Sequence, residues 1–396
     1  MLIRRYLILW LLMLAVNTQA QLPYSQQMTN TVMRLWKDSL PTGNKWTYDQ
    51  GVILKGIEGV WRQTGDSIYF NFIKNSMDKF VQTDGSIKTY NFNDLTLDNI
   101  LCGRNLLMLY KVTREQKYLK AVQILRNQLR HQPRTPEGGF WHKKVYPNQM
   151  WLDGLYMAEP FYAEYASTFH EDTAFKDIAL QFELINEHAR DPKTDLIYHG
   201  WDASHKQKWS NPQTGNSSNF WGRAMGWYGM ALVDVLQQFP ADHPKYKVLL
   251  AILKDYCATI TKYQDKSNGL WYEIVDKAHE KGNYPEASAS CMFVYTIAKA
   301  VKENYINKKY LIVAKNGYEG IINKFITKDN NGLLSLEGTV QVGGLGGKPY
   351  RDGSYTYYLS EKVITNDAKG VGAFILASVE MENLLKNKNE WLPKKR

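Results

Sequence analysis

The chain has 396 residues, a formal net charge of +10, 12 tryptophans and 26 tyrosines. Its lysines are scattered, with no basic run before the last few residues and no nucleic-acid-binding motif, which sets nucleic acid aside and favours anionic small substrates. The three cysteines, Cys102, Cys257 and Cys291, cannot all pair and read as buried thiols; without C-x-x-C or a His/Cys cluster they give no support for a metal, and no cofactor is expected.

Residues 1–20 read as a secretory signal: Arg4 and Arg5 make a basic start, Ile8 to Val16 an apolar core, and Thr18-Gln19-Ala20 a cleavage site before Gln21. That core is too short to span a bilayer, and nothing later is long and apolar enough to do so. The expected product is an exported chain in the periplasm or beyond it, still basic after the loss of two arginines. No Pro- or Gly-rich linker interrupts residues 21–396, which read as one domain, with a two-domain helical protein as the alternative.

Along the chain, one kind of segment returns: Thr83-Asp-Gly-Ser-Ile-Lys, Glu137-Gly-Gly-Phe-Trp-His, Thr194-Asp-Leu-Ile-Tyr-His, Asn268-Gly-Leu-Trp-Tyr-Glu and Asn331-Gly-Leu-Leu-Ser-Leu. Each is a turn followed by a short extended piece, and successive copies lie roughly 55 to 75 residues apart, room for two helices and their loops. Between them, apolar residues at three- and four-residue spacing predict helices over 100–112, 118–129, 224–236, 290–301 and 371–384. Five visible turns and a closing C-terminal hairpin make six units. The predicted fold is all-α, an (α/α)6 toroid whose loop-lined mouth would hold the site.

Within Tyr146-Pro-Asn-Gln-Met-Trp-Leu-Asp-Gly-Leu-Tyr-Met-Ala-Glu-Pro160, the lone carboxylate Asp153 sits among aromatic, apolar and small residues. An ionised group is costly to bury alone, so Asp153 is either satisfied by donors, as a helix cap would be, or kept partly protonated for chemistry. Pro160 suits the first turn of a helix, which places the helix start near Glu159 and Asp153 in the segment before it. The many aromatic rings offer an apolar face and a polar edge that suit sugars as well as cores.

The run Trp141-His-Lys-Lys-Val-Tyr-Pro-Asn-Gln-Met-Trp-Leu-Asp-Gly-Leu-Tyr-Met157, with Trp221-Gly-Arg-Ala-Met-Gly-Trp227 and Asn366-Asp-Ala-Lys-Gly-Val-Gly372, resembles the unsaturated rhamnogalacturonyl hydrolases of glycoside hydrolase family 105. The resemblance runs from about Trp46 to Glu382 and implies the same toroid. It also implies an activity: removal of a 4,5-unsaturated uronic acid from the non-reducing end of a lyase-generated pectin oligosaccharide, an anionic substrate. In that family an acid protonates C4 of the enol ether, water adds at C5, and the hemiketal opens to release the aglycone. A carboxyl with a raised pKa in a partly dry aromatic site suits both steps.

By its place in W-L-D-G, Asp153 matches the family's general acid/base. Asp98, in Leu97-Asp-Asn-Ile-Leu-Cys-Gly-Arg104, matches the opposing aspartate, and an N-cap is the alternative reading. Lys143 and His199 match the family's substrate-binding Lys and His, with His142 and Lys144 adjacent; a solvated lysine and a turn histidine are the alternatives. Arg223 and Trp227, four apart, would share a helix face where a guanidinium meets the carboxylate and an indole stacks on the sugar. The alternative pairs Arg223 with an acid such as Asp234 and sends Trp227 to the core. Tyr48 would border the uronate or lie in the core. The glycine-rich 343–355 loop is expected to contact the aglycone.

Overall fold

A computed structural model of the chain describes residues 22–37 and 43–386; the signal-like residues 1–20 lie outside them. In chain order the helices are α1 (Tyr24–Leu35), α2 (Tyr48–Thr64), α3 (Ser67–Asp78), α4 (Gly103–Thr113), α5 (Gln116–His131), α6 (Leu152–Phe169), α7 (Ala174–His188), α8 (Gly222–Leu236), α9 (Tyr246–Lys262), α10 (Ala287–Lys302), α11 (Leu311–Phe325), the short α12 (Tyr355–Ser360) and α13 (Ala368–Lys386). Short strands β1 (Gln149–Trp151) and β2 (Gly200–Asp202) pair antiparallel, as do β3 (Ile326–Lys328) with β4 (Leu334–Leu336) and β5 (Thr339–Val340) with β6 (Val363–Ile364).

The hydrophobic pattern decides which helices go inside. α8 is buried at all of its 15 positions, and α6 and α10 nearly so, as expected of helices apolar all round. α5 instead buries one stripe, Tyr118, Ala121, Val122, Leu125 and Leu129 among it, and turns a charged face to solvent. Accordingly α2, α4, α6, α8, α10 and α13 pack side by side in a ring that closes where α13 meets α2, with the other long helices outside it. The six-hairpin toroid expected from the repeat is the fold observed. No described helix is long and apolar enough to cross a membrane.

The repeated turns do the same work each time. Each follows an outer helix and feeds the chain into the next inner one, and each has a residue at positive φ: Gly85, Gly138, Asp195, Gly269 and Gly332, between 64° and 98°. At Gly269 glycine is also required by space, because a Cβ would lie 2.2 Å from the carbonyl oxygen of Asn316. Bridges across the turns, Val81 to Ile87, Arg134 to Phe140 and Arg190 to Ile197, supply the extended pieces. The inner helices all run the same way, so their N-termini and the loops that lead into them share one face.

Two expectations are corrected. The ring does not close with a C-terminal hairpin: α13 packs on the N-terminal α1, and the backbone N–H and hydroxyl of Ser25 donate to the carboxylate of Glu382 at 3.0 and 2.6 Å. A ring built from a chain entering on an outer helix has its last gap filled by the two ends. Helix α6 also begins at Leu152, not near Glu159, so Pro160 lies inside it and Asp153 in its first turn. Proline forgoes the bond to the carbonyl of Tyr156, a local penalty that the burial of an 18-residue helix outweighs.

Candidate active site

The β1–β2 ladder sets Asp153 in place. Pairing ends at Trp151 with Gly200, the N–H of Leu152 donates to the carbonyl of His199 at 3.0 Å, and the chain turns into α6 with Asp153 at the mouth of the ring. His199, fully buried, puts Nε2 at 3.1 Å from Asp153 Oδ2, while its Nδ1 lies 2.7 Å from the hydroxyl of Tyr358 on α12. Trp151 meets the His199 ring edge-on and Trp221 packs against it. Asp153 thus sits in the aromatic setting its sequence described, with a side chain 15% exposed.

Facing it, Asp98 lies in a single 3₁₀ turn, Leu97–Asn99, and caps no helix; its carboxylate meets Lys143 Nζ at 2.6 Å and His142 Nε2 at 3.5 Å. Burial would raise the Asp98 carboxyl, but Lys143 and His142 more than offset this and hold it below its ordinary value. The sign follows: this pair contributes to stability above the usual carboxylate range, and the contribution is lost as pH falls through the lowered folded value. Burial also drives His142 down to about 4, so it is neutral near pH 7, and its ring stacks on Trp151 with centroids 4.6 Å apart.

Tyr48 opens α2 in the same neighbourhood. Burial first, then Asp49, Asp98 and Asp153, pushes its phenol well above the ordinary value, while Arg223 pulls the other way. Arg223 is 1% exposed, donates to the carbonyl of Val340 and stands over the Trp221 ring at 4.7 Å. Among the described residues no carboxylate lies within 4 Å of it; Asp234 is held by Arg104 and Lys299 instead. Trp227 lies one turn further along α8, 1% exposed like Arg223, and its ring stacks on Tyr156 at 4.7 Å. The loops therefore bring together Asp98, Asp153, Tyr48, Lys143, His199 and Arg223. Among the described residues no group of three or more His, Cys, Asp and Glu is placed to hold a metal.

Residues 24–385 match the model of glycosyl hydrolase family 88. A family 105 glycoside hydrolase from Clostridium acetobutylicum is 42% identical and superposes with a TM-score of 0.89, covering 91% of this chain and all of that one. The chain belongs to the family 88 and 105 glycoside hydrolases. The unsaturated rhamnogalacturonyl hydrolase YesR of Bacillus subtilis is 29% identical over 278 residues, 68% of this chain and 76% of that protein. An unsaturated glucuronyl hydrolase from Bacillus sp. GL1 shares the fold, with a TM-score of 0.67 at 13% identity and 90% and 95% coverage.

In this glycoside hydrolase the glycine of W-L-D-G has a packing role that the motif alone does not show. A Cβ at Gly154 would come within 3.0 Å of both His142 Nδ1 and Leu97 Cδ1, the groups that carry Asp98 and its histidine. Gly154→Ala is expected to cost about 1–2 kcal/mol of stability and to lower kcat through displacement of His142. Thermal melts and steady-state kinetics on the same preparation check this, and an unchanged kcat counts against it.

Three groups at the site make contacts that their sequence setting does not show. Tyr358 reaches His199 from a short helix, Tyr146 stacks on Trp151 at 5.0 Å, and Arg351 donates to the Tyr146 hydroxyl at 3.1 Å and to the carbonyl of Gly346 at 3.0 Å. The glycine-rich loop wraps that guanidinium: a Cβ on Gly344 would lie 2.5 Å from Arg351 Nη1. The clustered glycines of 343–347 were the visible trace of this packing; which side chain they enclose was not.

Proposed function

We propose that this glycoside hydrolase removes a 4,5-unsaturated uronic acid from the non-reducing end of pectin-derived rhamnogalacturonan oligosaccharides by hydrating the C4=C5 double bond. One observation carries the reading: a carboxyl in an aromatic pocket, Asp153, lies at a mouth that also holds Lys143 and a buried guanidinium, Arg223, free of any carboxylate within 4 Å among the described residues. The unsaturated rhamnogalacturonyl hydrolase YesR, 29% identical, supports the choice of substrate.

The chemistry follows from the groups. Asp153 gives a proton to C4, and positive charge develops at C5 and the ring oxygen. Water adds at C5 as the Asp153 carboxylate takes back a proton, and the hemiketal opens and rearranges to free the aglycone. The glycosidic bond breaks as a consequence, so carboxylate spacing does not decide between inversion and retention here. Arg223 meets the uronate carboxylate, and Lys143, tied to Asp98, meets the ring hydroxyls. Arg223→Lys is expected to raise KM about tenfold with a smaller change in kcat, because an ammonium cannot reproduce the bidentate fork.

The deciding assay follows the near-ultraviolet absorbance of the ene-uronate with an unsaturated rhamnogalacturonan disaccharide, beside an unsaturated glycosaminoglycan disaccharide. Loss of absorbance with the first and not the second supports the reading. Turnover of the glycosaminoglycan fragment alone replaces it with a glucuronyl hydrolase, and no change with either removes it. The signal-like residues 1–20 favour a reaction that follows export, which cell fractionation of the full chain checks.

A further inference from the structure

His199 lies between two oxygens. Its Nδ1 is 2.7 Å from the Tyr358 hydroxyl and its Nε2 is 3.1 Å from Asp153 Oδ2, so α12, the loop before β2 and the first turn of α6 contribute one side chain each to a single line. His199 and Tyr358 are both 0% exposed. A polar atom left without a partner there is destabilising.

Counting donors selects one arrangement. The tyrosine hydroxyl has one hydrogen to give, and among the described residues its hydrogen bond is to His199 Nδ1. If Tyr358 donates, Nδ1 accepts, the ring proton sits on Nε2, and that N–H faces Asp153. In the other tautomer Nδ1–H would point at the hydroxyl oxygen, the buried O–H would lose its acceptor, and a ring lone pair would face a carboxylate oxygen. Burial pushes the Tyr358 phenol well above its ordinary value, so the hydroxyl keeps its proton. Tyr358 is itself held in place. Trp221 stacks on it, Ser354 Oγ accepts from the Tyr357 N–H at the start of α12, and the carbonyl of Gly353 accepts from Ser218 and Asn219.

Nε2 and Oδ2 stand 3.1 Å apart without a formed hydrogen bond, and neither has another partner among the described residues. Asp153 is 15% exposed, whereas His199 is fully buried with its Nδ1 tied to Tyr358. The buried end of the line therefore sets the proton position, and the carboxyl adjusts to it.

We propose that Tyr358 is a positioning residue: by donating to His199 Nδ1 it fixes the Nε2–H tautomer, which holds Asp153 Oδ2 and leaves Oδ1 to carry the proton to C4. This rests on Asp153 being the acid of the proposed reaction. The tautomer itself does not depend on turnover and is measured separately.

Nitrogen-15 NMR of the mature protein labelled at histidine, at about pH 8 so that imidazoles are neutral, reads it directly. The His199 resonances, assigned by their loss in His199→Gln, are expected to show a protonated Nε2 and a bare Nδ1; the reverse overturns the proposal. Tyr358→Phe, which keeps the ring and its stacking, is expected to lower kcat about tenfold with KM within twofold, and to have no further effect in a His199→Gln background. Equal losses in both backgrounds mean that Tyr358 does not act through His199. An Nε2–H histidine in a protein that leaves every ene-uronide untouched defeats the proposed function and leaves the tautomer assignment standing.

Discussion

Asp153→Asn is expected to lower kcat on an unsaturated rhamnogalacturonan disaccharide by on the order of a hundredfold or more while leaving KM within a few-fold. The amide has nearly the shape of the carboxyl and retains an oxygen for the His199 N–H at the 3.1 Å contact, so the pocket between Trp151 and Trp221 keeps its form. In the proposed reaction it loses the ability to give a proton to C4 and to take one from water, two half-steps assigned to the same side chain. Under the same proposal Lys143 and Arg223 remain to hold the anion, so binding is expected to be spared. Near-normal turnover would mean that another acid does the work, and Asp98, tied to Lys143 at 2.6 Å, would be the next to replace. A parallel rise in KM and fall in kcat would point to a collapsed pocket, which the melting temperature of the same variant separates from lost chemistry.

Asp234→Asn is expected to destabilise the protein by about 3–5 kcal/mol without removing a group from the mouth of the site. Asp234, 2% exposed, lies inside the ring and accepts from Arg104 at 2.8 Å, Lys299 at 2.6 Å and Tyr295 at 2.6 Å. Burial would raise its carboxyl, but Lys299 and Arg104 overcome this and hold it far below the carboxylate range. Neutralising it strands two buried cations, and the Glu164 beside Arg104 at 2.7 Å offsets only one of them. The penalty is read from urea midpoints near neutral pH. Because the folded carboxyl is depressed, its stabilisation is complete above the ordinary carboxylate range and fades as pH falls toward the folded value. The gap between variant and parent is therefore expected to narrow in strong acid. A loss under about 1 kcal/mol would show that the cations find other partners.

This network has a reason in the fold. All six inner helices end at the face opposite the site, where their carbonyl dipoles point outward. A cavity of about 420 Å³ there is lined by Lys55, Arg62, Arg104, Lys299 and Lys302 among others, with Glu58, Glu164 and Glu380 between them. Arg62, Lys299 and Lys302 lie in the last turns of their helices, where a cation meets the negative end of the helix dipole, whereas Asp153 lies in the first turn of α6.

Much of the site was legible because its parts are local. Asp153 stood out as an acid in an aromatic run, and Lys143 and His199 lie on segments that the repeated turns mark. The helix start was misread because a proline rule acts on one residue, whereas burial of 18 residues set where α6 begins. Spacing alone puts Arg223 and Trp227 on one face; that the first meets Trp221 and the second Tyr156 follows from the neighbouring helices.

The number of hairpins and the turns between them can be read from the chain alone. Turn conformation is written in a few adjacent residues, such as Gly85 or Asp195 at positive φ, and apolar spacing reports which helices must be enclosed. What meets across the ring comes from the three-dimensional packing: α1 with α13, Arg104 with Asp234, and Tyr358 with a histidine 159 residues earlier. Such neighbours depend on where the ring closes and how deep each turn of helix lies, and no short stretch of chain carries that information.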